Sequence, residues 1–202
     1  MLLQLAFISE DEFDIMVFKD YQKMYESEEL KVCSNSKTKT YMDYRAITDK
    51  SSTQYRFIRE KMKVDKKTGF LSDEDGFIGV ALGSFYGIIG DRFYITLDSG
   101  VILPIIKIEE KADIDTGFGC YHLSDGSVIE FVIDKNYAAD YFGIYGNGLI
   151  LSGNYNNHEL FKGEIYKVEK VLDSKKTDYV TYILNDQNFF DYDIFYYASG
   201  YW

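Results

Sequence analysis

Residues 111 to 134 read KADIDTGFGCYHLSDGSVIEFVID, and this stretch decides the fold class that the sequence predicts. Acidic side chains surround its apolar run, residues 128 to 133; they are Asp113, Asp115, Asp125, Glu130 and Asp134. On a strand, Ile129, Phe131 and Ile133 would point to one side, and Val128, Glu130, Val132 and Asp134 to the other. The acidic residues therefore either bracket turns of an ordinary barrel, or two of them face each other across a cleft and transfer protons.

Apolar runs on either side of this stretch predict further strands. Residues 92 to 97 and 101 to 108 read as two strands joined by the turn 98 to 100. Pro104 lacks an N–H donor, so the second strand should lie at an edge or bend there. Residues 77 to 83 and 127 to 134 are apolar on both sides, as a small closed barrel requires. Glycines recur nearby, as expected at barrel corners and turns: Gly76, Gly79, Gly83, Gly87 and Gly90.

The overall composition also indicates a mainly β protein. The 202 residues include 19 Tyr and 15 Phe but a single Pro, and Tyr and Phe favour strands. A chain of this length forms one large domain, or a domain of about 100 residues with extensions.

Changes in sequence pattern divide the chain into three segments. Residues 9 to 31 carry apolar residues at helical spacing, and Ser9 followed by Glu12 forms a capping box, so residues 1 to 36 are predicted to be an N-terminal helical arm. The polar stretch CSNSKTKT, residues 33 to 40, reads as a linker. Residues 37 to 136 form the predicted barrel domain, and residues 137 to 202 a β-rich, aromatic C-terminal extension.

Within that extension, residues 143 to 157 read as loop and short strand. Residues 163 to 172 and 179 to 184 read as a hairpin pair. The last residues, NFFDYDIFYYASGYW, are aromatic and acidic together, so they predict either a docking tail or a final strand packed on the barrel.

The net charge of −11 disfavours nucleic acid as a partner, because nucleic-acid binding requires Lys and Arg at the phosphates. The N-terminus lacks a positively charged region and a cleavage site, and no run is long enough for a transmembrane helix. We therefore expect cytoplasmic synthesis without a signal peptide and no membrane insertion. With two His and no Cys or His cluster, the sequence predicts neither a metal site nor a cofactor.

The two cysteines and the segment from Asp113 to Gly117 support few hypotheses about function. Cys33 and Cys120 are either buried thiols or one disulfide, and a nucleophilic role has little support from their spacing. The sequence from Asp113 to Gly117 begins like a calcium-binding loop, but the match fails after two ligand positions.

Glu130 is the strongest candidate for acid–base chemistry. Its carboxyl group is flanked by Val128 and Val132, and a carboxyl group desolvated in this way suits a general acid that works near neutral pH. Asp113 and Asp115 share a face just before a turn, where a hydrogen-bonded Asp could orient Glu130 or carry its proton onward.

A family resemblance extends this interpretation. Four elements follow one another along the chain: an apolar strand with Gly, residues 89 to 95, Asp115-Thr116-Gly117, and then Ile129-Glu130-Phe131. This order resembles the three-aspartate (3D) and MltA-like double-psi β-barrels of bacterial cell-wall enzymes. The resemblance covers roughly residues 76 to 134. It implies a double-psi-like β-barrel core and a role in handling peptidoglycan.

The same resemblance implies roles for individual residues. Members of this family act as lytic transglycosylases, or serve as barrel modules of peptidoglycan-handling proteins. Glu130 stands where the family places its acid/base carboxyl group, and Asp115 where it places the supporting one. Around them, Asp113, Tyr121, His122 and Asp134 would bind substrate, the glycan strands of peptidoglycan.

A second class of function stays open at this stage. A barrel with an acidic N-terminal helix and an aromatic tail also suits a non-catalytic structural or adaptor protein, such as a phage tail protein carried to the cell wall in the virion. In either case residues 1 to 36 and 186 to 202 are expected to contact protein partners.

Overall fold

Alternating apolar residues build one mixed β-sheet through the middle of the molecule. The structure is a computed structural model and describes residues 21–143 and 148–176. Its strands are β1 (Tyr25–Leu30), β2 (Thr40–Asp43), β3 (Lys63–Val64), β4 (Leu71–Ser72), β5 (Ile78–Leu82), β6 (Arg92–Leu97), β7 (Ile102–Glu110), β8 (Thr116–Gly117), β9 (Tyr121–His122), β10 (Glu130–Ile133) and β11 (Ile165–Lys176). Its helices are α1 (Thr53–Lys61), α2 (Lys135–Phe142) and α3 (Leu149–Ser152). Short 3₁₀ turns span Tyr44–Ala46, Ser84–Tyr86, Asp113–Asp115, Tyr155–Asn157 and Glu159–Phe161.

The strand order shows a mainly β protein with an open sheet. The order is β1-β11-β6-β7-β5-β10-β2, with β3 and β4 attached beside β5, while β8 and β9 form a separate hairpin. The pairs β5–β7 and β2–β10 are parallel, and the other neighbours in this order are antiparallel. Because β1 and β2 lie at opposite ends of the order, the described residues do not form the expected closed barrel. The double-psi arrangement is likewise not confirmed.

Four predicted strands are confirmed as β5, β6, β7 and β10, including the tight turn between β6 and β7. Pro104 was expected to place its strand at an edge or at a bend, but β7 lies inside the sheet rather than at its edge. Pro104 is opposite Tyr94 of β6, but the ladder with β5 begins only at Ile105. The residue without an N–H donor thus lies beyond the end of the parallel ladder.

Two segments adopt structures that differ from their prediction. The final part of the predicted N-terminal helix is strand β1, which pairs with β11 and buries Tyr25 against Phe77; residues 1–20 of the predicted arm lie outside the described residues. The predicted short strand in residues 143–157 is instead α3 and a 3₁₀ turn, and Gly153 ends α3 in the left-handed conformation. The predicted partner of β11, residues 179–184, lies outside the described residues.

Both faces of the sheet are covered by apolar side chains. One face packs against α2, α3 and the 3₁₀ turns that follow, through Ala138, Leu149 and Phe161. The other face packs against α1 through Ile58. Side-chain caps begin both longer helices: the Ser52 hydroxyl accepts a hydrogen bond from Tyr55 N, and the Asp134 carboxylate accepts one from Asn136 N.

A disulfide joins Cys33 to Cys120, which resolves the two alternatives for these cysteines. It links the polar stretch of residues 33–40 to the β8–β9 hairpin, which lies 87 residues further along the chain. The same polar stretch contacts the turn after β9, since Ser34 Oγ donates to Gly126 O and Ser36 Oγ to Asp125 O. One sheet also combines β1, β6 and β11, so it contains strands from all three predicted segments.

Candidate functional site

A polar cavity of about 420 Å³ lies beside the first residue of β10. Its lining residues are Thr40, Tyr41, Lys111, His122, Asp125, Ser127, Glu130 and Gly153. This volume falls within the range of roughly 300–1,000 Å³ typical of small-molecule sites. Lys111 and Ser127 are buried, Glu130 is half-buried and Asp125 is exposed, so the lining leads from the protein interior to solvent.

Separate parts of the fold converge to form this cavity. Glu130 begins β10, which pairs in parallel with β2, and Glu130 lies opposite Thr40. Lys111 follows β7 directly, and its N–H donates to Leu82 O at the end of β5. His122 ends β9, and Asp125 and Ser127 belong to the turn between β9 and β10. The cavity is therefore a product of long-range pairing and not of one local motif.

Lys111 provides a buried positive charge in this cavity. The side chain is 7% exposed, and its Nζ donates to Ser127 O at 3.4 Å. Burial lowers the pKa of the Lys111 ammonium, against the opposing effect of the nearby Glu130 and Asp125 carboxylates. Glu130 and Lys111 thus place an acidic and a basic group at the same cavity.

The turn from His122 to Ser127 places further polar groups at the solvent side. The backbone closes this turn, because His122 N donates to Ser127 O and Gly126 N to His122 O. Burial acts to raise the pKa of Asp125, but the Ser127 N–H, at 2.8 Å from Asp125 Oδ1, and the nearby His122 and Lys111 outweigh it and lower the pKa. The His122 ring nitrogen Nδ1 lies 2.8 Å from Ser124 Oγ.

Glu109 adds a second carboxyl group behind the cavity. In the sheet register Glu109 is opposite Ala81, and Ala81 is opposite Glu130, so the two glutamates lie on one face with a small residue between them. Burial raises the pKa of Glu109, and the charges of Glu110 and Glu130 act in the same direction. Its Oε2 atom is buried and has no hydrogen-bond partner among the described residues.

Comparisons with protein-family models, curated proteins and solved structures give no significant match to this chain. Within residues 21–143 and 148–176, no group of His, Cys, Asp and Glu has the arrangement of a metal site. In the same part of the chain, no helix has the length and apolar character needed to span a membrane.

Of the candidate site residues predicted from sequence, the structure brings Glu130 and His122 together in the cavity. Asp115 does not line it: its side chain is exposed in the 3₁₀ turn before β8, where its backbone carbonyl accepts from Leu123 N. Asp113 is exposed in the same turn and accepts from Ser84 Oγ at 2.6 Å. The predicted support of Glu130 by Asp115 is thus not seen, because the turn directs that segment to the protein surface.

The other two predicted binding residues also lie outside the cavity lining. Tyr121 packs its ring against Gly117 on the neighbouring strand of the hairpin. Asp134 is buried as the N-terminal cap of α2, and Arg45 Nη2 donates to it at 3.1 Å. Sequence reasoning did not identify Lys111, Ser127, Thr40 and Tyr41, since nothing local in the sequence marks them as neighbours of Glu130.

Proposed function

We propose that this chain acts on the glycan strands of peptidoglycan as a lytic transglycosylase-like protein, with Glu130 as the acid and base. The observation that carries the proposal is the half-buried Glu130 carboxyl group in a polar cavity beside the buried Lys111 ammonium. Thr40, Tyr41 and Ser127 also line this cavity, and a lining with such hydroxyl-bearing residues suits the hydroxyl groups of a sugar.

The proposed chemistry requires one carboxyl group that gives and then takes a proton. Glu130 would protonate the glycosidic oxygen while the bond to the anomeric carbon breaks. The resulting carboxylate would then accept the proton of the same sugar's 6-hydroxyl, whose oxygen bonds to the anomeric carbon and closes an anhydro ring. In this scheme the positive charge of Lys111 attracts the Glu130 carboxylate that remains after the first proton transfer.

The resemblance to 3D and MltA-like double-psi barrels enters this proposal through the segment Ile129-Glu130-Phe131 alone. The Cys33–Cys120 disulfide supports action in oxidising surroundings such as the cell wall or an assembled virion, since cytosolic thiols are kept reduced. Protein contacts through residues 1–36 and 186–202 are likewise part of the proposal.

The decisive experiment measures anhydro-muropeptide release from purified peptidoglycan by mass spectrometry. Wild type should release these products, and Glu130→Gln should lose about 100-fold or more of the rate, which is the scale of a missing general acid. Asp115→Asn is the matched control, because Asp115 is an exposed carboxylate outside the cavity. Equal losses in both variants, or a loss only in Asp115→Asn, would contradict the assignment of Glu130.

A second candidate function is a non-catalytic structural or adaptor role in a phage virion or another large assembly. The observation in its favour is that other acidic side chains serve ion pairs: Arg45 contacts both Asp43 and the buried Asp134. Absence of product from folded wild type would favour this role over the enzymatic one.

A further inference from the structure

Apolar side chains are displayed to solvent around the β8–β9 hairpin. Phe118 is 94% exposed, Ile114 85% and Leu123 62%, and Phe85 lies on the adjoining 3₁₀ turn at 44% exposed. These four residues form the hairpin tip. Backbone contacts hold them close together, since Phe85 N donates to Gly119 O at 3.0 Å and Leu123 N to Asp115 O at 2.9 Å.

Phe118 has the least favourable backbone at this tip. Its φ of 56° is the only positive φ of a non-glycine residue among the described residues. A bulky side chain rarely adopts this conformation, and its persistence at an exposed site points to a functional constraint. With 94% of its surface in water, the Phe118 side chain gains little packing inside the protein to offset this cost.

The hairpin tip is fastened to the body of the protein on several sides. The Cys33–Cys120 disulfide joins it to residues 33–40, and Ser84 Oγ donates to Asp113 Oδ1 at 2.6 Å. The fully buried Lys107 holds the adjoining turn, because its Nζ donates to Gly83 O at 3.0 Å and to Gly87 O at 2.7 Å. A partner would therefore meet a preorganised apolar surface and would not need to order it.

The charges around the tip determine what kind of partner fits. Asp113, Asp115 and Asp125 are exposed beside it, and residues 112–126 contain no Lys or Arg. A second copy would place like charges against each other, and anionic lipid or nucleic acid would be repelled. The segments 1–20 and 177–202 of this chain are acidic as well: the first has five acidic residues and one Lys, and the second has four acidic residues and no Lys or Arg.

We propose that the hairpin tip is a docking surface for another protein that offers an apolar hollow bordered by Lys or Arg, with Phe118 as the central anchor. Aromatic anchors inserted into such hollows dominate the affinity of many protein interfaces, and complementary charges at the rim favour the correct partner. This surface does not depend on whether the neighbouring cavity is catalytic.

A synthetic peptide with a Leu-Trp-Leu centre flanked by lysines can probe this chemistry by NMR titration of the full chain. We expect shift changes confined to residues 84–86 and 113–123, and affinity that falls as salt is added. Phe118→Gly keeps the positive φ and removes the ring, so it should weaken binding about tenfold or more. Leu123→Ala should also weaken binding, whereas Leu151→Ala, at a similarly exposed leucine on α3, should change it less than about twofold.

Other results would overturn the proposal. Equal binding of a peptide with glutamates in place of lysines would exclude charge complementarity. Undiminished binding of the lysine-flanked peptide by Phe118→Gly would exclude Phe118 as the anchor. Self-association of wild type in sedimentation that Phe118→Gly abolishes would make a second copy the occupant, and binding to phosphatidylglycerol vesicles through the tip would make it a lipid surface.

Discussion

Tyr155 shows how a single polar atom affects stability in this molecule. Its ring is fully buried among Phe70, Phe131, Phe142 and Phe161, with ring centroids 4.8 Å apart in the contact with Phe131. Its hydroxyl group has no hydrogen-bond partner among the described residues, and burial raises its pKa far above the ordinary value. A buried hydroxyl without a partner retains its desolvation cost and gains no compensating bond.

We therefore expect Tyr155→Phe to keep or raise the free energy of unfolding, by up to about 1 kcal/mol, in urea titrations. Tyr94→Phe is the matched control, because the buried Tyr94 hydroxyl accepts hydrogen bonds from Met24 N and Tyr25 N, each at 3.1 Å. That variant leaves two N–H donors without their acceptor and should cost roughly 1–3 kcal/mol. A larger loss for Tyr155→Phe than for Tyr94→Phe would show that the Tyr155 hydroxyl has a partner.

At the scale of elements, Lys39 fastens the polar stretch of residues 33–40 to the segment before β11. The side chain is 1% exposed, and its Nζ donates to Gly163 O at 2.7 Å and to Lys37 O at 3.1 Å. Burial lowers the pKa of Lys39 from its ordinary value near 10.5 to about 8, against the opposing effect of Asp98. The unfolded chain thus binds more protons than the folded chain between these two pH values.

Stability should consequently rise as the pH increases from about 8 to 10, because the cost of a buried ammonium disappears as Lys39 loses its proton. The full difference amounts to about 3 kcal/mol, at 1.36 kcal/mol for each pH unit. Urea titrations at several pH values measure this slope for wild type and for Lys39→Met. The variant should show a flatter profile over that window, and parallel profiles for the two proteins would contradict the role of Lys39.

The elements differ in how well their sequence predicts them. Strands β5, β6, β7 and β10 alternate or are apolar on both faces, so local periodicity is sufficient. Strand β1 reads YESEEL, and half of its residues are glutamates; only its pairing with β11 and the burial of Tyr25 make it a strand. Closure of the sheet depends on which strands become neighbours, and no local pattern contains that information.

The residues of the candidate site also differ in how well the sequence predicts them. Glu130 was predicted because a carboxyl group between valines is conspicuous on a strand, and His122 because it comes just after the turn predicted at Asp115-Thr116-Gly117. Lys111 was not, since a lysine is ordinarily exposed and its burial follows from its own contacts with Leu82 and Ser127. Asp115 and Asp134 have the right chemistry, but an exposed turn and a helix cap direct them elsewhere.

At the scale of the whole molecule, the disulfide connects the cavity to the hairpin tip. Cys120 lies between Phe118 and His122 in sequence, and Cys33 begins the stretch that contacts Gly126 and Asp125. Both the proposed catalytic cavity and the proposed docking surface therefore adjoin the segments that this one covalent bond joins. The bond closes a loop of 87 residues, long enough for its removal to release much chain entropy in the unfolded state.

Replacement of both cysteines, Cys33→Ser with Cys120→Ser, should lower the free energy of unfolding by roughly 2–4 kcal/mol in urea titrations. Amide hydrogen exchange should show where the native state loosens. The amides of Gly126, which closes the turn beside the cavity, and of Leu123, which donates to Asp115 O, should lose protection, while Lys107 N in the central sheet should keep it. Reduced wild type should behave like the double variant, because both lack the same bond. Uniform loss of protection throughout the sheet would mean instead that the disulfide stabilises the fold only as a whole, and that the cavity and the tip have no separate dependence on it.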